Sequence, residues 1–443
     1  MFEHCLGGRG REKGRERETH VARITMEACT VNSLLFAQNL TSVPKCFDLD
    51  WSLCKTVKSK LLDTLIEGVE PAEDVTPTAV LIVDGKAVLQ AMKEIPATVE
   101  ELATSVFHSV VPQATLADFV TDRYPDVSIK NPEIAKRASV GAVQVEITGG
   151  GQKCPKQWKT FLNSGENKKM LTRFLLQQWS RDNYANRIGN PNPNIYFALE
   201  DKCFQLSGDD GKVVCEAITE LNSNHEEADT RLLLRAKHAS ENGETTVIIK
   251  SPDTDVAIMA CHFCRNISAR IPFKNKEKTR NIYLEISAIA DAAWPHLCDA
   301  SPGLHTFTGC DSTSVFVGKG KKTALNLCKT DPVACKDKAT LGRSFDAETV
   351  PFSECVGFVY KMYGKPKLVE VNECRYITFC AKQGQSQSLP PCQDALRNHT
   401  MLANYQAAIW RHALNANPEI PSHYTSVLGS EIQSRGTVND LPR

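Results

Sequence analysis

Apolar residues along this chain follow two periods, and the switches between them mark the elements. Ala228, Leu232, Leu233, Ala236 and Ala239 recur at helical spacing, so a helix with one buried face is expected, starting close to Glu227 and Asp229. A short β-rich run, Thr245 to Ile249, follows and leads into Ser251-Pro252-Asp253-Thr254-Asp255. Upstream, 78–83 is a continuous apolar stretch of the kind found in strands buried on both faces, and it ends in Asp84. A second strand is expected over 117–121, ending in Asp122. Segments 194–206 and 212–218 flank Asp210-Gly211, the strongest hairpin signal in the chain.

Helices are expected over 31–40 and 54–68, where Val57, Leu61, Leu62 and Leu65 share a face, and over 86–95 and 99–111. An amphipathic helix broken near Ser164-Gly165 runs from Trp158 to Trp179 and carries Lys168 and Lys169. Further helices are expected over 256–267, 288–298, 353–364 and 402–416, with a strand over 281–287. The pattern predicts an α/β fold: a mostly parallel sheet flanked by helices, with helical additions at both ends.

In an open α/β sheet, ligands bind at the carboxyl ends of the strands. Acids at strand ends and helix starts would therefore converge there. Crowded carboxylates repel one another unless cations neutralise them, and hard divalent cations with oxygen ligands are the usual answer. Taken singly, each acid has a plainer explanation. Asn224 with Glu227 has the spacing of a capping box, Asp253 or Asp255 caps the following helix, Asp84-Gly85 is a turn, and Asp311 caps a helix of its own. These separate explanations do not account for five acidic motifs arranged in this order.

Composition narrows the classes little. The chain has 443 residues, 42% hydrophobic, and its 52 basic and 52 acidic residues balance, so any nucleic-acid surface must be local. Seventeen scattered cysteines fit a reducing compartment better than a disulfide framework. Cys261-His262-Phe263-Cys264 lacks a second ligand pair, so buried thiols are expected there rather than zinc. No apolar run of about 18 residues occurs, and the Arg/Glu/Gly-rich start lacks a secretory apolar core. After Gly309-Cys310-Asp311, the stretch Gly318-Lys319-Gly320-Lys321-Lys322 combines permissive backbone, a helix start and three lysines, a pattern suited to a phosphate backbone.

With these motifs in view, the chain resembles the flap endonuclease and 5′-nuclease superfamily, whose catalytic domain is PIN-like. The match rests on Val83-Asp84-Gly85, Val120-Thr121-Asp122 followed by basic residues to Arg137, Glu227-Ala228-Asp229, Asp253-Thr254-Asp255, and Gly309-Cys310-Asp311 with Gly318 to Ala324 at fixed spacing. Sequences of this sort also resemble reading frames derived from mobile elements.

The resemblance implies a Mg²⁺- or Mn²⁺-dependent, structure-selective nuclease that hydrolyses DNA or RNA phosphodiesters with two ions. These would be held by Asp84, Asp122, Glu227 and Asp229 on one side and Asp253, Asp255 and Asp311 on the other. Lys130 and Arg137 would grip the scissile phosphate, with Lys136 beside them. Lys168 and Lys169 fall where the family clamps single strands, and Gly318 to Lys322 where it holds duplex backbone. The implied partner is branched or junction-containing nucleic acid, and the implied setting nuclear or nucleocytoplasmic.

The expected organisation is a tail over 1–25, a helical extension and linker over 26–77, a nuclease domain over 78–340 with a clamp-like insertion at about 138–195, and a helical region over 341–443. A catalytically inactive PIN-like nucleic-acid-binding scaffold is the alternative, with an Asp-x-Asp phosphatase and a purely structural interaction protein as further rivals.

Overall fold

Strand β1 (Val80–Asp84) places Val80, Ile82 and Val83 out of water, and a strand apolar on both faces must be covered on both. In the computed structural model it lies inside an eight-stranded sheet of order β5-β4-β3-β2-β1-β6-β7-β8. The others are β2 (Leu116–Val120), β3 (Asn194–Leu199), β4 (Lys202–Asp209), β5 (Lys212–Ala217), β6 (Val247–Lys250), β7 (Pro272–Glu277) and β8 (Arg280–Glu285). The structure describes residues 57–72, 79–111, 116–125, 144–189, 194–277, 280–293, 295–367, 370–381 and 389–421. The expected tail, the helix over 31–40, and Lys130, Lys136 and Arg137 lie outside the described residues.

The centre of the sheet is parallel: β1 pairs with β2 and β6, β2 with β3, and β6 with β7. Its margins are antiparallel, β3–β4–β5 on one side and β7–β8 on the other. The α/β class and mostly parallel sheet flanked by helices are as the pattern predicts. Asp84 lies opposite Val120, and Val83 opposite Lys250, so three strands end level and their continuations leave at one rim. The chain runs outward from β1 through β2 to β3 and returns to place β6 on the other side of β1. Such a reversal, between β1 and β6, is where open α/β sheets bind ligands.

The hairpin at Asp210-Gly211 forms as expected, with φ of 44° and 75° at the two turn residues, the left-handed pair that a two-residue turn requires. The stretch before it differs from the expectation. It is two strands joined at Glu200-Asp201, because Glu200 also takes a positive φ of 54° and folds β4 back on β3. Strand β7 had no signal of its own. Pro272 and the charged residues after it lack period-two alternation, and the strand exists because β6 and β8 supply its partners.

Alternate side chains of the central strands enter two cores. Val80, Ile82, Val120, Val247 and Ile249 pack into the larger one with α6 (Ala228–Glu241) and α7 (Thr254–Phe263). Val83, Ala117 and Phe119 join the other with α3 (Val99–Val110), α4 (Trp158–Phe161) and α5 (Gly165–Trp179). Ser164 caps α5, which explains the break in that amphipathic stretch. The segment expected as a clamp-like insertion is therefore in part a covering layer. Leu171, Leu175 and Trp179 are buried, and the Trp179 indole donates to the Ala103 carbonyl at 3.0 Å.

The larger core also takes in α1 (Ser59–Leu65) and the C-terminal helices, since it runs from Leu61 through Ala413. It thus crosses both boundaries expected near 78 and 341. Leu61, Leu62 and Leu65 are buried as predicted, but Val57 is exposed, because it precedes the helix and does not share its face. Between β8 and the end lie α8 (Ile286–Ala292), α9 (Pro295–Phe307), α10 (Lys321–Thr330), α11 (Pro332–Thr340), α12 (Phe352–Met362), α13 (Val371–Ala381) and α14 (Gln393–Arg411). Helix α9 carries Gly303 to Phe307, and Pro302 sits inside it. No helix among the described residues is long and apolar enough to cross a membrane.

One contact sets the exit of β1. Helix α2 (Gly85–Ala91) begins immediately after Asp84, and a Cβ at Gly85 would lie 2.6 Å from the Phe119 ring. That ring is held by Trp179 and Phe197 and has no free side to move into. Gly85→Ala is expected to destabilise the fold by about 1–3 kcal/mol through overpacking, read as a lower denaturant midpoint in equilibrium unfolding. An unchanged midpoint would mean that this approach is not tight.

Candidate metal centre

Each acid reaches the rim through a different element. Asp84 is the last residue of β1 and caps α2, its Oδ1 accepting from the Ala87 amide at 3.0 Å. Asp122 follows β2, and its Oδ1 accepts from the Ala228 amide at 2.9 Å, so a residue distant in sequence caps α6. Glu227 stands at the N-cap position of α6 without capping through its side chain, and Asp229 lies in its first turn. The capping box expected of Asn224 does not form; the Asn224 amide donates instead to the Pro418 carbonyl at 3.2 Å. Asp253 caps α7 by accepting from the Asp255 amide at 3.0 Å. These helix starts hold the carboxylates by their free N–H groups and favour negative charge there.

Short links join the acids into one cluster. Ser251 donates to Asp84 Oδ2 at 3.4 Å and accepts from the Asp253 amide at 3.2 Å. Ligand atoms of Asp229, Asp253 and Asp255 all lie within 4.8 Å of one another, an arrangement that could hold a metal ion. Lys58 Nζ lies 2.7 Å from Asp311 Oδ1, 2.9 Å from Asp255 Oδ2 and 3.8 Å from Asp253 Oδ1. On the opposite flank Lys86 Nζ is 3.6 Å from Asp122, whose Oδ2 accepts from the Tyr124 hydroxyl at 3.2 Å.

The electrostatics reflect the crowding. Burial, together with the neighbouring Asp122 charge, pushes the Asp84 carboxyl up to about 6. Burial and the Asp255 charge push Asp253 up to about 6. Asp229 is raised well above the usual carboxylate range by burial and by Asp253, Glu227 and Asp84. Asp255 goes the other way: burial opposes its ionisation, but a hydrogen bond from His305 and the Lys58 ammonium outweigh it. The His305 ring, wholly buried and pushed down to about 4 by burial and Lys321, is neutral at pH 7 and donates Nε2–H to Asp255 Oδ1 at 2.8 Å.

The donor set is all carboxylate oxygen, the ligand type of hard divalent cations, and the raised carboxyls mark negative charge that a cation would relieve. The residues thus fit a divalent ion. Of the seven acids singled out in the sequence, Asp229, Asp253 and Asp255 bring ligand atoms together; Asp84 is linked to them through Ser251 and feels the Asp122 charge, Glu227 acts on Asp229 through its charge, and Asp311 joins through Lys58.

The basic residues divide. Lys168 lies over the Tyr124 ring at 4.6 Å, one aromatic ring away from Asp122, whereas Lys169 pairs with Glu166 on the same helix at 3.2 Å. Gly318, with φ of 72°, and Gly320 shape the turn before α10, where Lys322 is exposed and Lys319 lies 5.4 Å from the Tyr363 ring. Lys321 corrects the expectation of a surface contact. It is buried, its Nζ donating to the His305 carbonyl at 2.8 Å and to Thr308 Oγ1 at 3.2 Å, so it braces the residue that orients Asp255.

Sequence reasoning missed Lys58, Ser251, His305 and Lys86 as members of the site. Lys58 and Lys86 are ordinary lysines at the starts of amphipathic helices, and nothing in their spacing distinguishes them. Cys261 is buried in α7 as expected, and the neighbouring His262 hydrogen-bonds the Cys298 carbonyl at 3.0 Å.

Comparison with known proteins adds no relative: no family model matches the chain, and no curated protein matches it.

Proton linkage gives a test of the centre. Asp84 and Asp253 have folded pKa values above their unfolded ones, so their contribution to stability is full below about pH 4 and lost as pH rises through about 6. Buried His225, His305 and His399, each pushed down to about 4, act in the opposite sense. The clean readout is therefore the rise in Tm produced by Mn²⁺. It is expected to be larger at about pH 7 than at about pH 5, because protonated carboxyls must release protons to bind the ion. A Mn²⁺-induced rise independent of pH would exclude these carboxyls as ligands.

Proposed function

We propose that the chain is a divalent-metal-dependent, structure-selective nuclease with a PIN-like catalytic domain, cleaving phosphodiester bonds of DNA or RNA. The observation that carries this reading is the meeting of Asp84, Asp122, Asp229, Asp253 and Asp255 at the carboxyl ends of β1, β2 and β6. Acids from four motifs, spread over much of the chain, share one rim beside the topological switch, where α/β folds bind ligands. Mg²⁺ or Mn²⁺ held there supplies a water of lowered pKa and charge stabilisation at the reacting phosphate.

The remaining roles belong to the chain. Asp255, kept ionised by the His305 N–H and by Lys58, is a permanent anion for the ion to lean on. Asp84 and Asp253 supply further oxygen from helix caps, so their positions are set by backbone rather than by flexible stems. Lys319 and Lys322 beside Gly318 and Gly320 would offer charge to duplex phosphates without reading bases, and Lys168, over the Tyr124 ring beside Asp122, would do the same for a single strand. A junction between duplex and single strand has both features. The setting proposed with this substrate class is nuclear or nucleocytoplasmic.

The test is cleavage of end-labelled flap, fork, hairpin and single-stranded DNA and RNA in Mg²⁺ or Mn²⁺. Cleavage is expected on at least one junction, abolished by EDTA and by Asp253→Asn, with duplex binding retained by that variant. Binding without cutting on every substrate would leave an inactive nucleic-acid-binding module as the reading.

A further inference from the structure

We infer that Lys58 is a built-in cation in place of the second metal ion, so that this centre works with one exchangeable divalent ion and one lysine ammonium. The inference rests on the nuclease reading of the same site and deepens it. Its ground is geometric. The Lys58 ammonium touches Asp255 and Asp311 at 2.9 and 2.7 Å and stands 3.8 Å from Asp253. Those are the three acids that a second ion would need. Mg²⁺ binds oxygen at about 2.0–2.1 Å in near-octahedral geometry, so an ion placed among these three acids would displace the ammonium already in hydrogen-bond contact.

Lys58 is held there by its surroundings. It begins α1, and the Leu61 amide closes back on the Lys58 carbonyl at 3.3 Å. Leu61, Leu62 and Leu65 anchor the helix in the larger core, against α7 and α10, the helices that carry Asp255 and Lys321. Three buried leucines thus fix the backbone from which the lysine stem extends, three carboxylates receive its end, and the side chain is only 21% exposed. Asp255 is shared: Oδ2 faces Lys58 and Oδ1 faces His305. The candidate ion site formed by Asp229, Asp253 and Asp255 lies next to it, which leaves one metal and one ammonium side by side over a common pair of aspartates.

The chemistry differs from a two-ion centre in a definite way. An ammonium carries one charge and three N–H donors, so it offsets one of the two negative charges of Asp311 and Asp255 and can donate to a phosphate oxygen, but it cannot ionise a water as a metal ion does. Water activation then belongs to the single ion. The lysine takes the role of charge stabilisation on the other side of the phosphate.

The experiment counts bound Mn²⁺ by calorimetry and by electron paramagnetic resonance in the full chain, wild type against Lys58→Met and Lys58→Arg. One Mn²⁺ is expected in the wild type and in Lys58→Arg. In Lys58→Met a second is expected, with a spin-coupled signal from two ions about 4 Å apart. Thermal melting checks that each variant folds. Two Mn²⁺ ions in the wild type with cleavage intact would overturn the inference alone, whether or not Lys58→Met folds. One ion in both the wild type and a folded Lys58→Met would overturn it as well. No Mn²⁺ bound by the wild type would bring down the inference and the nuclease reading together.

Discussion

Repulsion among buried carboxylates is the constraint to which the rest of the fold answers. Asp84, Asp229, Asp253 and Asp255 stand close enough that neighbouring negative charge disfavours ionisation of Asp229 and Asp253, at the rim of a sheet whose strands are largely apolar. Left alone, such a group would protonate or push the rim apart. Here three helix starts, two lysines and one histidine oppose it. Helix α2 receives Asp84, α6 receives Asp122, and α7 receives Asp253, each through backbone N–H groups. Capping and metal binding are thus not rival explanations of these acids. The caps orient the carboxylates, and the charge that the caps leave unbalanced is what a cation would neutralise.

Support for the site extends through the C-terminal helices. His305 holds Asp255 from α9, Lys321 holds the His305 carbonyl from α10, and the Trp410 ring of α14 lies 5.6 Å from the His305 ring. A wholly buried lysine without a carboxylate of its own is an expensive element, and its pKa is pushed down to about 7 by burial. Its hydrogen bonds to the His305 carbonyl and the Thr308 hydroxyl brace the backbone of α9 that carries the histidine bonded to Asp255. The helices beyond the sheet therefore belong to the same physical unit as the rim.

Much of this was legible beforehand. The apolar runs of β1, β2 and β6, with acids at or shortly after their ends, located three walls of the site, although β2 also buries Asp118 mid-strand beside Arg235. Asp210-Gly211 announced its hairpin because few residue pairs tolerate two consecutive positive φ values. The buried face of α6 followed from the spacing of Ala228, Leu232, Leu233, Ala236 and Ala239, all of them buried. Strand β7 was illegible since its partners, not its own residues, make it a strand, and Val57 lost its place on the α1 face because the helix starts after it.

By itself, then, the sequence determined the α/β class, the elements of the parallel centre, and the identity of the acids that gather at its rim, because hydrophobic periodicity and helix starts are local properties. Tertiary structure alone decided which cations meet those acids. Lys58, Lys86 and Lys321 are indistinguishable as text, yet one bridges Asp255 and Asp311, one faces Asp122, and one is buried beneath His305. A lysine's role depends on where the end of a long, flexible stem is held, and that is set by packing between helices far apart in the chain.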